Sequence, residues 1–171
     1  MFDILPEGPA DGPAIDFLLD QAFGPHRRQK TVDRLRRGGT PLAELSIVAR
    51  AGDRLAGSVR FWAVEIGTDA ATPALLLGPL AVMPECQGQG IGSTLVDHGL
   101  VRARAHGHRA VLLVGNPDYY GGFGFRADAA RGLTLPGPIE AARFLALELV
   151  PGALAGVRGP VRQPRRWLRA A

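Results

Sequence analysis

Gln87-Gly88-Gln89-Gly90-Ile91-Gly92-Ser93 stands between an apolar run, Thr72–Val82, and a segment, Ile91–His106, whose Leu95, Val96, Gly99, Leu100 and Ala103 fall on one helical face. Glycines at this spacing let a backbone approach an anion closely. The first amides of the helix, from about Gly90 to Ser93, have no intrahelical acceptors and can bind a pyrophosphate. Each charge-assisted hydrogen bond of this kind is worth roughly 1.5–3 kcal/mol, and the helix dipole adds up to about 2 kcal/mol. The competing reading is a plain glycine loop, because short glycine motifs also arise by chance. A dinucleotide fingerprint does not fit: the position of its third glycine is Ser93, and no acid ends the next strand, Ala110–Val114, to hold a ribose. Gly-Lys-Ser/Thr is absent, which excludes a P-loop.

Outward from this loop the chain divides into short alternating elements. Upstream, Phe2–Leu5 fits an edge strand, and a helix is expected from Asp11 or Pro13 through Phe23, with Ile15, Leu18, Leu19 and Ala22 on one face and Gly24-Pro25 as its stop. A second, short helix is expected over Lys30–Arg37, ended by Gly38-Gly39. Leu45–Ala51 and Leu55–Ile66 read as a β-hairpin, and Thr72–Val82 as a third strand that Gly78-Pro79 must bend or put at an edge, since proline lacks the ladder donor. Strand, glycine loop, helix and the apolar strand Ala110–Val114 make one βαβ crossover with a parallel pair. Downstream, Asn116 can cap a short helix with Pro117 at its first position. Phe123–Phe125, Arg143–Leu149 and Gly156–Val161 are expected as further strands. The class is mixed α/β around a largely antiparallel sheet.

At 171 residues and 46% hydrophobic content the chain can fill one core. Its 23 glycines and 14 prolines stay below the roughly 25–30% share of low-complexity sequence. The expected organisation is a single domain over 1–161 with a short Arg-rich tail over 162–171. No apolar run approaches the roughly 20 residues of a membrane span, and Met1-Phe2-Asp3 lacks a signal-peptide start, so a soluble, cytoplasmic protein without a membrane partner is expected. One cysteine, Cys86, excludes an internal disulfide framework and a Cys-rich zinc site. The net charge of +4 comes from the C-terminus: residues 151–171 carry Arg158, Arg162, Arg165, Arg166 and Arg169 without an acid, and the remainder is near neutral. That distribution argues against a nucleic-acid-binding fold.

These residues resemble the GNAT superfamily of acyl-CoA-dependent N-acetyltransferases. Their cofactor motif, Arg/Gln-x-x-Gly-x-Gly/Ala, is met by Gln87, Gly90 and Gly92. It follows a strand phrase like Gly78-Pro79-Leu80-Ala81-Val82 and a proline such as Pro84. Asn116-Pro117-Asp118-Tyr119-Tyr120-Gly121-Gly122-Phe123-Gly124-Phe125 is similar to a phrase of a bacterial subgroup. The resemblance implies a GNAT-like sheet, mostly antiparallel with a splayed parallel pair at the cofactor cleft. It implies acetyl-CoA as cosubstrate, without a metal, and transfer of the acetyl group to an amine of a small molecule or peptide. It further implies that Gln87, Gly88, Gln89, Gly90, Ile91, Gly92 and Ser93 hold the CoA pyrophosphate and that Leu80, Ala81 and Val82 pair with the pantetheine arm. Asn116 would contact the cofactor, and Tyr120 would be the general acid that protonates the departing thiolate. A homodimer is compatible with these features.

Some members place a glutamate on the strand before the loop as general base, where this chain has Leu75-Leu76-Leu77. Deprotonation is therefore expected through water or a carboxylate elsewhere, Glu65 and Glu85 being nearest in the chain. Cys86 reads as a loop cysteine, Tyr119 as packing, and Arg27-Arg28 as a solvated loop pair near the acceptor side. His98 and His106 are too far apart for a helical zinc pair. A non-catalytic acyl-CoA-binding or sensing module is the alternative; it would keep the glycine loop without depending on Tyr120.

Overall fold

Apolar and β-branched residues concentrate in runs, and in the computed structural model, which describes residues 1–165, those runs supply the longer strands of an eight-stranded sheet. In chain order the elements are β1 (Asp3–Pro6), α1 (Gly12–Phe23), α2 (Asp33–Arg36), β2 (Ile47–Ala51), β3 (Arg54–Ile66), β4 (Thr72–Val82) and α3 (Ile91–Ala105). β5 (Ala110–Val114), α4 (Pro117–Gly121), β6 (Leu133–Thr134), β7 (Phe144–Glu148) and β8 (Gly159–Arg162) follow. The eight strands run in the order β1-β2-β3-β4-β5-β7, with β8 joined to β3 and to β6. Antiparallel pairing links β1 to β2, β2 to β3, β3 to β8 and β5 to β7. β4 and β5 are parallel through Leu75↔Val111 and Leu76↔Leu112, as the α3 crossover between them requires. The short β6–β8 pair is parallel too. No helix among the described residues is long and apolar enough to cross a membrane.

The chain gathers into two compact units, whose boundary cuts β3 after Phe61 and β4 after Leu77. The first comprises Met1–Gln29, Pro41–Phe61 and Gly78–His106. Here Ile15, Leu18 and Leu19, one face of α1, are buried against Val48 and Ala81, with Ala22, Leu55 and Met83 at the margin. Arg60 grips Glu7 through two hydrogen bonds of 2.8 and 2.6 Å, tying the segment after β1 to β3. Arg27 folds back on α1 to bond Asp20 at 2.7 Å and Asp16 at 2.9 Å, so of the Arg27-Arg28 pair only Arg28 remains broadly exposed.

Two glycines set how closely α3 lies on this unit's strands. A Cβ at Gly57 of β3 would stand 3.1 Å from Ile91 Cγ2, from Leu95 Cδ1 and from the Ala81 carbonyl oxygen. A Cβ at Gly99 of α3 would fall 2.5 Å from Phe61 Cε2, inside van der Waals contact. The helix seats its Leu95–Val96–Leu100–Ala103 face on the sheet because side chains are missing at both points.

The second unit takes Lys30–Thr40, Trp62–Leu77 and the chain from Gly107 onward. Its core joins Leu35 of α2 to Trp62, Val64 and Ile66 of β3, Leu76, Leu112, Phe144, Ala146 and Val161. β5 is buried throughout Ala110–Leu113, on both faces of the sheet, which is why it reads as an unbroken apolar run. α2 is shorter than Lys30–Arg37 and is stapled to the 136–138 loop: Thr31 Oγ1 donates to the Pro138 carbonyl at 2.8 Å and Arg34 Nη1 to that of Pro136 at 2.6 Å.

Phe123–Phe125 is not a strand, contrary to expectation. Phe123 and Phe125 both donate their amides to the Tyr120 carbonyl, and Gly124 at φ 93° closes the turn. Extended pairing begins only at Arg126, opposite Ala146. The tail expected from residue 162 starts inside the sheet: Arg162 ends β8, with its Nε donating to the Gly67 carbonyl at 2.8 Å and its Nη1 3.0 Å from Glu65. Arg165 donates to the Thr68 carbonyl. The rest of that tail, 166–171, lies outside the described residues.

Candidate active site

In the first unit the end of β4 runs through Leu80, Ala81 and Val82 into a single 3-10 turn, Pro84–Cys86, and then into the glycine loop. Gly88 and Gly90 take left-handed φ values of 76° and 77°, and nothing lies within 4 Å of where their Cβ atoms would be. Gly90 is the residue before α3, and the first bond into the helix is Thr94 N–H to the Gly90 carbonyl at 3.0 Å. The amides of Ile91 and Gly92 are therefore left without intrahelical acceptors at an open helix end. Gln87 is aligned by its own side chain, whose Nε2 donates to the Val82 carbonyl at 3.4 Å. Gln87–Gly90 are exposed, Leu80 and Val82 are half-buried, and Ala81 and Ile91 are buried. Backbone donors, a positive dipole end and the absence of side chains are what a pyrophosphate needs.

In the second unit, α4 carries Asn116 and Tyr120. Asn116 caps the helix as expected, its Oδ1 accepting from the Asp118 amide at 2.9 Å, and Tyr120 N–H bonds the Asn116 carbonyl at 3.0 Å. Asn116 is exposed, whereas Tyr120 is half-buried among aromatic rings: Phe125 at 5.9 Å and Tyr119 at 4.9 Å, both edge-on, and Phe123 at 6.4 Å. The backbone makes room for it at Gly115, where a Cβ would lie 2.7 Å from Tyr120 Cδ2 and closer still to Cε2. Burial pushes the phenol up to about 12, with Tyr119 adding to the rise and Arg36 opposing it. Tyr120 is thus a protonated donor at neutral pH.

Gly115 and Arg36 are absent from the sequence expectation. Gly115 looks like an ordinary turn residue before Asn116-Pro117, and Arg36 is one of three arginines in Arg34–Arg37. No periodicity separates them from their neighbours.

Both carboxylates nearest in the chain are engaged. Glu65 is 3.0 Å from Arg162 Nη1, and Glu85 is 3.1 Å from Arg54 Nη2. Cys86 is a free, half-buried thiol. Among the described residues no group of three or more His, Cys, Asp or Glu is arranged to hold a metal ion.

The chain matches the acetyltransferase (GNAT) family model over residues 14–125, a span that runs through both units. It is 34% identical over 165 residues to the uncharacterized N-acetyltransferase YhbS of Escherichia coli K12, covering 95% of this chain and 96% of that protein. The uncharacterized N-acetyltransferase YjhQ of the same organism is 31% identical over 132 residues, 76% of this chain and 73% of its own length. The crystal structure of Escherichia coli YhbS in complex with CoA superposes with a TM-score of 0.79 at 30% identity, over 100% of this chain and 93% of that one. A GNAT acetyltransferase from Brucella melitensis in complex with acetyl-CoA gives 0.71 at 28% identity, over 96% of each. The chain belongs to the GNAT acetyltransferase family and is an acyl-CoA-dependent N-acyltransferase.

Proposed function

We propose that the protein transfers the acetyl group of acetyl-CoA to an amine of a small molecule or peptide. The observation that carries this reading is the open loop at the start of α3, where Gly88 and Gly90 present backbone without side chains beside unfilled helical amides. Gln87–Ser93 would hold the pyrophosphate, and Leu80–Val82 would offer backbone to the amides of the pantetheine arm in the manner of an added strand. The thioester supplies an activated acyl carbon and a thiolate leaving group. Tyr120 would supply the proton that the departing sulfur needs, being a buried phenol that keeps its proton at neutral pH. Asn116, exposed at the start of α4, would add a polar contact to the cofactor. Deprotonation of the amine would run through solvent, since Glu65 and Glu85 are ion-paired.

The bacterial origin of the relatives named above and the requirement for acetyl-CoA support a bacterial, cytoplasmic setting. Incubation with acetyl-CoA and a panel of polyamines, amino acids, aminoglycosides and peptides, following thiol release, tests the function. Turnover on at least one amine is expected. Tight acetyl-CoA binding with no thiol release on any of them would move the reading to an acyl-CoA sensor.

A further inference from the structure

In the second unit the chain between Ala127 and Phe144 lines an open groove of about 670 Å³, a size within the range of small-molecule sites. Its floor is apolar and buried: Ala130, Leu133 and Phe144 belong to the core of the unit. Ile139, which also lines it, leaves a large apolar side chain 37% exposed. One wall is held in place. A Cβ at Gly137 would stand 2.9 Å from Thr31 Oγ1 and 3.1 Å from Arg34 Nη1, and those two side chains donate to the carbonyls of Pro138 and Pro136. The opposite end of the groove, at Ala142 and Phe144, adjoins the strand end that carries the candidate acid. Phe144 is the β7 partner of Val114, Gly115 N–H donates to the Arg143 carbonyl at 2.9 Å, and Gly115 is the residue against which the Tyr120 ring packs. Only two charged residues, Asp128 and Arg131, line the groove. Asp128 is already neutralised, since Arg126 donates to both of its oxygens and holds the carboxyl below its usual range.

We propose that this groove holds the apolar body of the acceptor, and that the acceptors are small primary amines carrying an aliphatic or aromatic chain rather than polycations. The inference rests on the reading of the protein as an amine acetyltransferase and adds the place and class of the acceptor. The hydrocarbon chain lies over Leu133, Ile139 and Phe144, and the amino group is directed past Phe144 toward Gly115 and Tyr120. Charge decides between acceptor classes. A polyamine or an aminoglycoside laid in the groove would strip water from several ammonium groups, meet one carboxylate that is already paired, and face the Arg131 guanidinium. A hydrocarbon chain loses nothing of the kind and gains contact with the apolar floor, so the discrimination is built from repulsion as well as attraction.

Two variants of the full chain at exposed positions test this: Ala142→Trp fills the groove, and Ile139→Asp places an acid in it. Thiol release at saturating acetyl-CoA gives kcat and KM for phenethylamine, hexylamine, spermidine, kanamycin and a short peptide. Wild-type kcat/KM should be about tenfold or more higher for phenethylamine and hexylamine than for the other three. Ala142→Trp should raise the KM for phenethylamine by about tenfold or more and leave kcat and acetyl-CoA affinity near wild type, the pattern of lost ground-state binding. Ile139→Asp should raise the same KM and lower that for spermidine, and it carries the comparison if Ala142→Trp proves unstable. A second readout needs no turnover: saturation-transfer NMR of phenethylamine on the CoA-bound protein should show contact in wild type and less in Ala142→Trp. Preference for spermidine, kanamycin or the peptide, or a KM for phenethylamine that neither variant moves, overturns the proposal while acetyl transfer stands. Absence of NMR contact in wild type overturns it too. Contact that Ala142→Trp weakens, with no thiol release on any amine, supports the groove as a site for apolar amines and overturns acetyl transfer instead.

Discussion

The glycine loop at residues 87–93 and the Tyr120 region at residues 115–125 are built on opposite principles. The loop works by what is missing: Gly88 and Gly90 leave space, and the helix end leaves amides unfilled. The Tyr120 region works by what is crowded in: a phenol packed among Tyr119, Phe123 and Phe125 over a glycine, with a buried arginine acting on it. On the proposed reading, backbone recognition would bind a diphosphate whatever acyl group it carries, and side-chain burial would tune one proton. The two regions should therefore separate cleanly in kinetics, one governing affinity and the other rate.

Tyr120→Phe is the most severe test of that separation. It keeps the ring, and kcat should fall by roughly 10²–10⁴-fold while acetyl-CoA affinity by calorimetry stays near wild type. A parallel loss of affinity would break the contrast. Gly92→Asp is the reverse case. An acid in the first turn of a helix is favourable and glycine is a poor helix former, so Tm should hold or rise. Acetyl-CoA affinity should drop by about a hundredfold or more, as donors worth about 3 kcal/mol are lost to a like charge. Wild-type affinity in that variant would remove the pyrophosphate from the loop.

Smaller effects sharpen the same line. Gly99→Ala puts a methyl 2.5 Å from Phe61 Cε2, and an overpacking cost of about 1–3 kcal/mol should lower Tm by roughly 2–10 °C. Phe61→Leu in the same chain should restore part of it, and an unchanged Tm for the single variant would contradict the close seating of α3. The last effect appears only in alkali. The Tyr120 pKa is raised from 10.0 to about 12 on folding. Above about pH 10 the unfolded chain therefore ionises this phenol while the folded chain does not. Stability should fall between pH 10 and 12 on this account, by at most about 1.4 kcal/mol per pH unit, and Tyr120→Phe should remove that part of the loss in denaturant titrations.

Legibility in the sequence followed the same division. β4 over Thr72–Val82 and the buried face of α3 were readable because a continuous apolar run and helical spacing report burial directly. The open backbone of the loop was readable because glycine spacing encodes it. Tyr120 was singled out through a motif, and its packing on Gly115 was not, since a close approach between a glycine and a ring five residues further on leaves no pattern. Arg36 was hidden for a stronger reason: it is buried in a segment fastened to a loop 102–107 residues away in the chain, at Pro136 and Pro138. The aromatic alternation of Phe123–Phe125 suggested a strand, but Gly121, Gly122 and Gly124 allow the turn that returns two amides to one carbonyl. β6 escaped because two residues carry no period at all.

The seating of α3 also bears on how affinity for the cofactor can evolve. Substitution at Gly88 or Gly90 meets a left-handed backbone that other residues rarely adopt, so the loop offers little room for gradual change. Gly99 lies eight residues beyond Ile91, about 12 Å along the helix axis at 1.5 Å per residue. A helix of that length moves as a rod, and a small change in volume at position 61 or 99 tilts its far end. If the loop holds the cofactor as proposed, the volume beneath the helix would be a place where selection, or an engineer, could grade cofactor affinity in small steps without altering any atom of the loop itself.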